Sequence, residues 1–322
     1  MKKILVVNIN WLGDAVFSLP VFKALRRAYP HSHIVCLCVS RVAEVLEFCP
    51  DINAIMVIDE KGRHFWPWQK AALILQLRSR KFDIALVLHR SLSRAMIVWL
   101  SGIKERVGFC KWPWLMTKTV MSAPEGSHRM DHYLRVVEAA GVDVNDRTYQ
   151  LNAPASDVRI DGQYVVFNTG GNWDLKQWPK RSWVDLASVF KGYGTRVVFA
   201  GSQKDRLPVQ KIIDESGINA ENMCGKTSLG QSLALYAKAD VVISADSGPL
   251  HLANSVGTKV IGLFGPTRPE MTGPRGIGDK RILFHEMGCN KTPCYHLGCH
   301  DNVCMKGISV DNVLQAYKEL NC

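Results

Sequence analysis

Residues 240–264 read DVVISADSGPLHLANSVGTKVIGLF, and this stretch decides the fold. Asp240–Ser244 and Lys259–Phe264 are apolar runs of strand length that are rich in β-branched residues. Leu250–Val256, which lies between them, has the pattern of a helix. A strand, a helix and a second strand in this order are typical of a parallel sheet that is covered by helices.

The same alternation extends outward over the whole chain. In the first half, we predict strands at Ile4–Ile9, Ile34–Val39, Ala54–Ile58, Asp83–His89 and Arg106–Gly108, and helices at Ala15–Tyr29, Val42–Phe48, Trp66–Arg80, Leu92–Leu100 and His132–Ala140. In the second half, we predict further strands at Tyr164–Asn168 and Arg196–Ala200, and further helices at Ser182–Phe190, Asp205–Ser216, Leu229–Ala237 and Val310–Leu320.

A polar stretch without periodicity, Asn152–Gln163, separates the two halves and is predicted to hold the domain boundary. We therefore expect an α/β protein with two doubly wound domains, residues 1–155 and 156–322. Ligand sites are expected at the carboxyl ends of the strands, facing a shared cleft.

Composition and charge exclude several classes of protein. With 322 residues, 47% of them hydrophobic and 21% charged, the chain is neither disordered, collagen-like nor a coiled coil. Its apolar runs are shorter than the roughly 20 residues that span a bilayer. The basic and apolar start resembles a signal peptide, but Asp14 interrupts it and no A-x-A cleavage site follows. We expect a soluble, cytoplasmic protein.

The positive charge is concentrated in the first half of the chain. Residues 1–150 contain 21 Lys+Arg against 13 Asp+Glu, whereas residues 151–322 contain 19 against 16. Such an imbalance suggests a negatively charged partner, although it is also compatible with a merely basic surface. Because no RRM, KH, helix-turn-helix or zinc-finger pattern occurs, we expect no nucleic-acid partner.

The first candidate site is the turn Asn10–Asp14, which follows the first strand and has Gly13 at its tightest point. A carboxylate in this place can accept a proton from a substrate hydroxyl. Asp14 can also be only a helix cap, because Asp is a favoured N-cap residue. No G-x-G-x-x-G occurs here, which weakens a nicotinamide interpretation.

Two segments of the second half have the composition of an anion site. Thr169–Gly171 follows a strand, its adjacent glycines let backbone N–H groups approach a phosphate, and Lys176 comes soon after. Asp246–Pro249 ends another strand and opens a helix, whose N-terminus favours a diphosphate. Either segment can instead be an ordinary turn or cap. The turn Phe264–Thr267 ends the neighbouring strand and strengthens the functional interpretation.

Three motifs of the chain, NINWLGD, NTGGNWDLKQWP and SADSGPLHLANSVGTKVIGLFGPTRP, resemble those of glycosyltransferase family 9, the ADP-heptose:lipopolysaccharide heptosyltransferases. The first motif is closer to the type II than to the type I enzymes. The resemblance implies a B-type glycosyltransferase fold of two facing Rossmann-like domains, the first for the acceptor and the second for the nucleotide-sugar. It also implies inverting transfer of heptose, without metal or cofactor, from ADP-L-glycero-D-manno-heptose to Kdo-lipid A or heptosyl-Kdo-lipid A. A family member that uses another sugar or glycan, and a binding protein that has lost transfer, remain as alternatives.

The resemblance also implies roles for individual residues. Asp14 matches the general base that acts on the acceptor hydroxyl, and Lys176 matches the residue that stabilises the departing diphosphate. The donor is expected to contact Gly13, Thr169, Gly170, Gly171, Asp246, Ser247, Gly248, Pro249 and His251.

The acceptor site is less clearly marked. Phosphates or Kdo carboxylates suit arginine, so we expect acceptor ligands among four residues, Arg90, Arg94, His128 and Arg129, each of which can also be an ordinary surface cation. Two runs mix aromatic and basic residues, His64–Trp68 and Cys110–Trp114, and suit either lipid contact or the core. The expected partners are therefore ADP-heptose, a phosphorylated glycolipid and, peripherally, the inner face of the inner membrane.

Ten cysteines in a cytoplasmic chain should mostly be reduced. Four of them are evenly spaced near the end, Cys289, Cys294, Cys299 and Cys304. Four thiolates can bind zinc or an iron–sulfur cluster, but the spacing is not the C-x2-C of structural zinc sites. We therefore expect no metal there.

Overall fold

The computed structural model describes residues 1–59, 62, 64–171, 173–285, 293–294, 299 and 301–321. The chain divides into two compact units, Met1–Tyr149 and Gln150–Cys322. This division falls six residues before the predicted boundary at 155. Leu151 explains the shift, because it is buried and its N–H donates to the Ser255 carbonyl in the second unit, at 3.0 Å.

Unit 1 contains a six-stranded parallel sheet in the order β3-β2-β1-β4-β5-β6, the Rossmann order. The strands are β1 Lys3–Val7, β2 His33–Cys38, β3 Ala54–Val57, β4 Ile84–Val87, β5 Glu105–Gly108 and β6 Lys118–Thr119. The helices are α1 Leu12–Phe17, α2 Leu19–Ala28, α3 Ser40–Leu46, α4 Pro67–Arg80, α5 Leu92–Leu100 and α6 Arg129–Ala139. The order reverses between β1 and β4, where ligands bind in sheets of this kind.

Unit 2 repeats the same topology with the order β12-β11-β10-β7-β8-β9, so its reversal lies between β7 and β10. The strands are β7 Tyr164–Asn168, β8 Arg196–Phe199, β9 Ala220–Asn222, β10 Val241–Ala245, β11 Lys259–Phe264 and β12 Lys280–Phe284. The helices are α7 Lys180–Tyr193, α8 Arg206–Ser216, α9 Leu229–Ala237, α10 Gly248–Ser255, α11 Pro269–Thr272, α12 Val303–Lys306 and α13 Val310–Asn321.

The predicted fold class, α/β with two doubly wound sheets, is confirmed. The predicted helix over 15–29 is wrong as one element, since α1 ends at Phe17 and α2 starts at Leu19. Pro20 lies in the first turn of α2, where its missing N–H costs nothing, whereas inside a continuous helix it would break the hydrogen-bond pattern. The outer strands β6, β9 and β12 are not predicted from the sequence.

Within the described residues, no helix combines the length and the apolar character needed to cross a membrane.

Candidate active site

In unit 2, the polar residues predicted to bind the donor meet at the carboxyl edge of the sheet. Strands β7 and β10 pair directly, with Asn168 opposite Ser244, so the segments that follow them are neighbours. The Thr169–Gly171 loop follows β7, and Asp246 follows β10. The structure therefore brings the two predicted anion segments together at the point where the strand order reverses.

Asp246 is the centre of a buried hydrogen-bond network. It is 4% exposed, and its Oδ2 accepts hydrogen bonds from Lys176 Nζ at 2.7 Å, Thr267 Oγ1 at 2.6 Å and Thr272 Oγ1 at 3.0 Å. Its Oδ1 lies 3.5 Å from His251 Nε2. The β11 loop contributes Thr267 because β11 pairs with β10. Asp246 thus connects the segments that follow three central strands.

The surroundings of Asp246 fix its charge. Burial alone would raise the pKa of this carboxyl, but the hydrogen bond from His251 and the positive charge of Lys176 outweigh burial and hold the pKa well below its usual range. The carboxylate is therefore ionised at neutral pH and paired with an ammonium group. An ionised carboxylate repels a diphosphate, so Asp246 is better suited to position Lys176 and His251 than to contact phosphate.

Lys176 is held beside the helix that follows β10. It ends the 3-10 turn Asp174–Lys176, and its Nζ also lies 5.4 Å from the centre of the Trp173 ring. Its side chain is partly exposed, so the ammonium group can reach a ligand while Asp246 anchors it. Helix α10 begins at Gly248, with Pro249 in its first turn.

No side chain caps the N-terminus of α10, although the sequence allows a cap at this segment. Ser247 is the N-cap residue in extended conformation, but its side chain makes no capping bond and lies instead 3.1 Å from Ser244 Oγ. The Ser247 hydroxyl is therefore not needed to cap the helix, and ligand contacts of Ser247, Gly248 and Pro249 stay a prediction.

The Thr169–Gly171 loop has a packing requirement in addition to the predicted anion contact. A Cβ added at Gly170 would lie 2.5 Å from the Asp205 carboxylate carbon. Asp205 Oδ2 in turn accepts hydrogen bonds from the Ser202 N–H at 2.8 Å and hydroxyl at 2.6 Å. Lys204 Nζ donates to the Gly171 carbonyl at 3.0 Å. Gly170 is thus required by the close approach of Asp205.

In unit 1, Asp14 is not the cap of its helix. Trp11 is the N-cap residue of α1, and Asp14 is the third helical residue, directly after Gly13. The Tyr133 hydroxyl donates to Asp14 Oδ1 at 2.8 Å, and Arg129 Nε lies 4.0 Å from the same oxygen. Among the described residues, Oδ2 accepts no hydrogen bond. Asp14 therefore has one oxygen fixed and one available as a proton acceptor.

Tyr133 is a permanent hydrogen-bond donor to this carboxylate. Burial raises the pKa of the Tyr133 phenol far above its usual value, and the negative charge of Asp14 and the hydrogen bond to it raise that pKa further. The hydroxyl therefore keeps its proton at any physiological pH. Tyr133 orients Asp14 without competing for the acceptor's proton.

Two of the four predicted acceptor ligands are buried and support the local structure instead. Arg94 is 1% exposed, and its guanidinium donates to the Asn8 carbonyl at 2.6 Å and to Asn10 Oδ1 at 2.7 Å, so it supports the loop after β1. His128 is buried as the N-cap of α6, and its Nδ1 accepts a hydrogen bond from the Met130 N–H at 3.1 Å. Neither side chain faces solvent, where an acceptor phosphate could meet it.

The other two predicted ligands, Arg90 and Arg129, are exposed and lie near His132. Arg90 Nη2 lies 3.3 Å from His132 Nε2, and Arg90 also donates to the Ser122 hydroxyl. Burial, together with the positive charges of Arg90, Arg129 and Arg135, lowers the pKa of His132 to about 4. Three cations close to one half-buried imidazole form a strongly positive surface next to Asp14.

The lowered pKa of His132 makes unit 1 less stable in mild acid. Between pH 6.5 and pH 4 the unfolded chain takes up a proton that the folded chain refuses, so stability falls as the pH falls. After allowance for solvent screening, we expect His132 to cost about 1 kcal/mol at pH 5, or about 2–4 °C in Tm. The His132→Phe variant, which keeps an aromatic ring against Phe109, should lose less Tm between pH 7 and pH 5 than the parent.

Thermal unfolding at the two pH values measures this difference. The exposed His31, also in unit 1, offers the matched control His31→Phe, whose Tm should depend on pH as the parent's does. An unchanged pH dependence in the His132→Phe variant would contradict the proposed burial of a neutral imidazole.

The cysteine series is only partly described. Cys294, Cys299 and Cys304 are partly exposed, and Cys289 lies outside the described residues. The Cys294 N–H donates to the Pro266 carbonyl at 2.7 Å. Among the described residues, no group of three or more His, Cys, Asp or Glu side chains could hold a metal ion. The expectation of no metal here stays a prediction.

Two site residues, Tyr133 and Thr272, are missed by the sequence interpretation. Thr267 lies in the turn Phe264–Thr267, which the sequence marks as part of the site without giving this residue a role. Tyr133 lies 119 residues from Asp14 in the chain, and Thr272 lies 26 residues from Asp246. No local sequence pattern predicts these contacts.

Comparison with known proteins identifies the family of the chain. The model of glycosyltransferase family 9 (heptosyltransferase) matches residues 70–302. The chain is 26% identical over 307 residues to the lipopolysaccharide core heptosyltransferase OpsX of Haemophilus influenzae, covering 90% of this chain and 86% of that one.

Two solved structures have the same fold. One is the glycosyl transferase family 9 structure from Veillonella parvula, with a TM-score of 0.86, 24% identity, and coverage of 99% of this chain and 97% of that chain. The other is the E. coli ADP-heptose LPS heptosyltransferase II, with a TM-score of 0.81, 22% identity, and coverage of 99% and 98%. The chain therefore belongs to glycosyltransferase family 9, the family of the lipopolysaccharide heptosyltransferases, and the protein is a glycosyltransferase.

Proposed function

We propose that this enzyme transfers heptose from ADP-L-glycero-D-manno-heptose to the phosphorylated inner core of lipopolysaccharide. The observation that carries the proposal is the buried Asp246 network, which holds the Lys176 ammonium at the strand reversal of unit 2. The likeness in fold to the E. coli ADP-heptose LPS heptosyltransferase II supports the choice of donor.

Unit 2 provides the charge compensation that a departing nucleoside diphosphate needs. Lys176 carries a fixed positive charge, and the start of α10 adds the partial positive charge of a helix N-terminus. Because Asp246 holds the ammonium before the donor arrives, little reorganisation is needed when negative charge develops on the phosphate. Lys176 thus stabilises the transition state, with Asp246 and His251 as positioning residues.

Unit 1 provides the base and the acceptor site. Tyr133 fixes Asp14 Oδ1, and Oδ2 takes the proton of the acceptor hydroxyl as that oxygen attacks the anomeric carbon. Arg90 and Arg129 hold acidic groups of the acceptor, for which guanidinium is the suited partner. ADP leaves from the opposite face of the sugar in a single displacement, so the anomeric configuration inverts.

The transfer is proposed to need no metal ion, because the Lys176 ammonium group supplies the positive charge that a divalent cation would otherwise bring to the diphosphate.

The rate of ADP release tests three parts of the proposal together: the identity of the donor, the need for the acceptor and the independence of metal. We expect release to require both ADP-heptose and Kdo-lipid A or heptosyl-Kdo-lipid A, and to proceed at the same rate in EDTA and in Mg²⁺. Release that stops in EDTA and returns with Mg²⁺ would overturn the assignment of this charge to Lys176. A UDP-sugar in place of ADP-heptose is the matched control and should release no UDP.

Because the proposed acceptor is a glycolipid, the enzyme is also proposed to act at the inner face of the inner membrane. The excess of cations in residues 1–150 supports contact with anionic lipid.

A further inference from the structure

An exposed aromatic cluster lies at the start of α4, in the run that the sequence marks as a mixture of aromatic and basic residues. Phe65, Trp66 and Trp68 are 56%, 51% and 65% exposed. The Trp66 and Trp68 rings are stacked with centroids 5.1 Å apart, and Phe65 meets Trp66 edge-on at 5.2 Å. Exposed apolar clusters of this kind mark interaction surfaces on monomeric proteins.

An amphipathic groove lies next to the cluster, along the outer strand β3. This open groove of about 530 Å³ lies between β3 and α4, where the apolar Ile55, Val57 and Leu73 line it together with the polar His64, Gln69, Gln76 and Arg80. His64 connects this groove to the aromatic cluster, because it directly precedes Phe65 in the chain. The cluster and the groove together form one amphipathic surface along β3, with the exposed aromatic rings at the start of α4.

The aromatic cluster, at the start of α4, lies at the carboxyl edge of the sheet, as does Asp14. The aromatic cluster follows β3, Arg41 follows β2, Asp14 follows β1 and Arg90 follows β4, in the order β3-β2-β1-β4. Neighbouring strands are about 4.8 Å apart, so β3 and β1 are separated by roughly 10 Å. The base therefore lies between aromatic residues on one side and the arginine surface on the other.

The space between the cluster and the base is also amphipathic. Trp11 is 59% exposed, and the Arg41 guanidinium lies 4.9 Å from the centre of its ring. Lys70 lies one turn into α4, next to the cluster. Tryptophan beside cationic side chains is the composition of a membrane interface, where the ring enters the headgroup region and the cation meets anionic lipid.

We propose that Phe65, Trp66 and Trp68, with Trp11 and Arg41, dock unit 1 on the headgroup–acyl boundary of an anionic bilayer. The glycolipid acceptor then lies along the carboxyl edge of the sheet. Its lipid is on the β3 side, toward the aromatic cluster, and its acidic glycan points toward Arg90 and Arg129. This inference rests on the proposed function and adds the orientation of the acceptor.

Vesicle binding tests the docking surface directly. The parent should sediment with phosphatidylglycerol/phosphatidylethanolamine vesicles and bind phosphatidylcholine vesicles less well. The Trp66→Ser/Trp68→Ser double variant should bind the anionic vesicles about tenfold more weakly, while Trp66→Phe/Trp68→Phe keeps most of the binding. Tyr193 is an exposed aromatic residue of unit 2, and Tyr193→Ser should bind as the parent does. Equal binding by the parent and the serine double variant would overturn the proposal.

Kinetics add a readout that separates docking from chemistry. We expect the serine double variant to lower the ratio of kcat/KM for the acceptor in vesicles to kcat/KM for the same glycan without its acyl chains. An unchanged ratio would overturn the proposed orientation. Conversion of a dimeric parent to a monomer by the double variant would assign the cluster to a second copy of the chain, and so would also overturn it. Absence of transfer to either acceptor would instead refute the proposed function. Vesicle binding does not depend on transfer, so it tests the docking surface even in that case.

Discussion

The Asp14→Asn enzyme is expected to bind its donor and acceptor normally but to turn over about 10²–10⁴ times more slowly than the parent. The asparagine keeps an oxygen for the Tyr133 hydroxyl, so the local hydrogen bond survives. It loses the negative charge with which Oδ2 takes the acceptor's proton. The expected result is therefore a loss of kcat at nearly constant KM, measured from initial rates of ADP release.

Replacement of another carboxylate of unit 1 controls for the loss of one negative charge away from the site. Asp146 pairs with Lys23 at 2.7 Å and Arg27 at 3.1 Å on the surface. Asp146→Asn removes the same charge and should leave kcat within about twofold, since surface pairs contribute little. Ordinary turnover by the Asp14→Asn enzyme would refute the assignment of Asp14 as the base.

Replacement of Lys176 by methionine is expected to weaken donor binding and to lower kcat by about 10²–10³, as for removal of one preorganised donor at a developing oxyanion. Both constants should change, because the ammonium group meets the diphosphate in the ground state and in the transition state. Isothermal titration with ADP and initial rates measure the two effects separately.

The same variant should be less stable, because it leaves the Asp246 carboxylate buried without its cation. Loss of one partner of such a pair costs up to about 3 kcal/mol. The low pKa of Asp246 sets the pH window: the stabilisation is complete above the ordinary carboxyl value of about 4 and is lost as the pH falls below it. The difference in Tm between parent and Lys176→Met should therefore be largest near pH 7 and shrink in acid.

The Lys176→Met/Asp246→Asn double variant distinguishes stability from catalysis. With both charges removed and an asparagine oxygen left for the hydroxyls of Thr267 and Thr272, much of the Tm should return. Activity should not return, since no cation faces the diphosphate. Recovery of activity together with Tm would contradict a direct role for Lys176 at the donor.

The central strands were predictable from sequence because they are buried on both faces. Tyr164–Asn168 and Lys259–Phe264 are apolar runs whose predicted bounds match the structure. Two of the outer strands that were not predicted lack this signal: β6 is the exposed pair Lys118–Thr119, and β9 is the half-buried Ala220–Asn222. Such residues form strands only because a neighbouring strand offers them hydrogen bonds, which is a property of the tertiary structure.

The site was predictable where residues follow strands and not where side chains meet across the fold. Asp14, Lys176 and Asp246 lie in the segments that follow β1, β7 and β10, and the topology rule places these segments at the carboxyl edge of a sheet. Arg94 follows β4 in the same way, yet its guanidinium turns inward to Asn8 and Asn10. The sequence pattern does not say in which direction an arginine side chain points. It therefore cannot distinguish a buried, structural arginine from one that binds a ligand.

The most direct test of the account is the mass of the acceptor after incubation with this enzyme and ADP-heptose. We predict that heptosyl-Kdo-lipid A or Kdo-lipid A gains the mass of one heptose, and that the Asp14→Asn enzyme gives almost none of this product in the same time. No gain in mass with either acceptor would contradict the proposed heptosyl transfer.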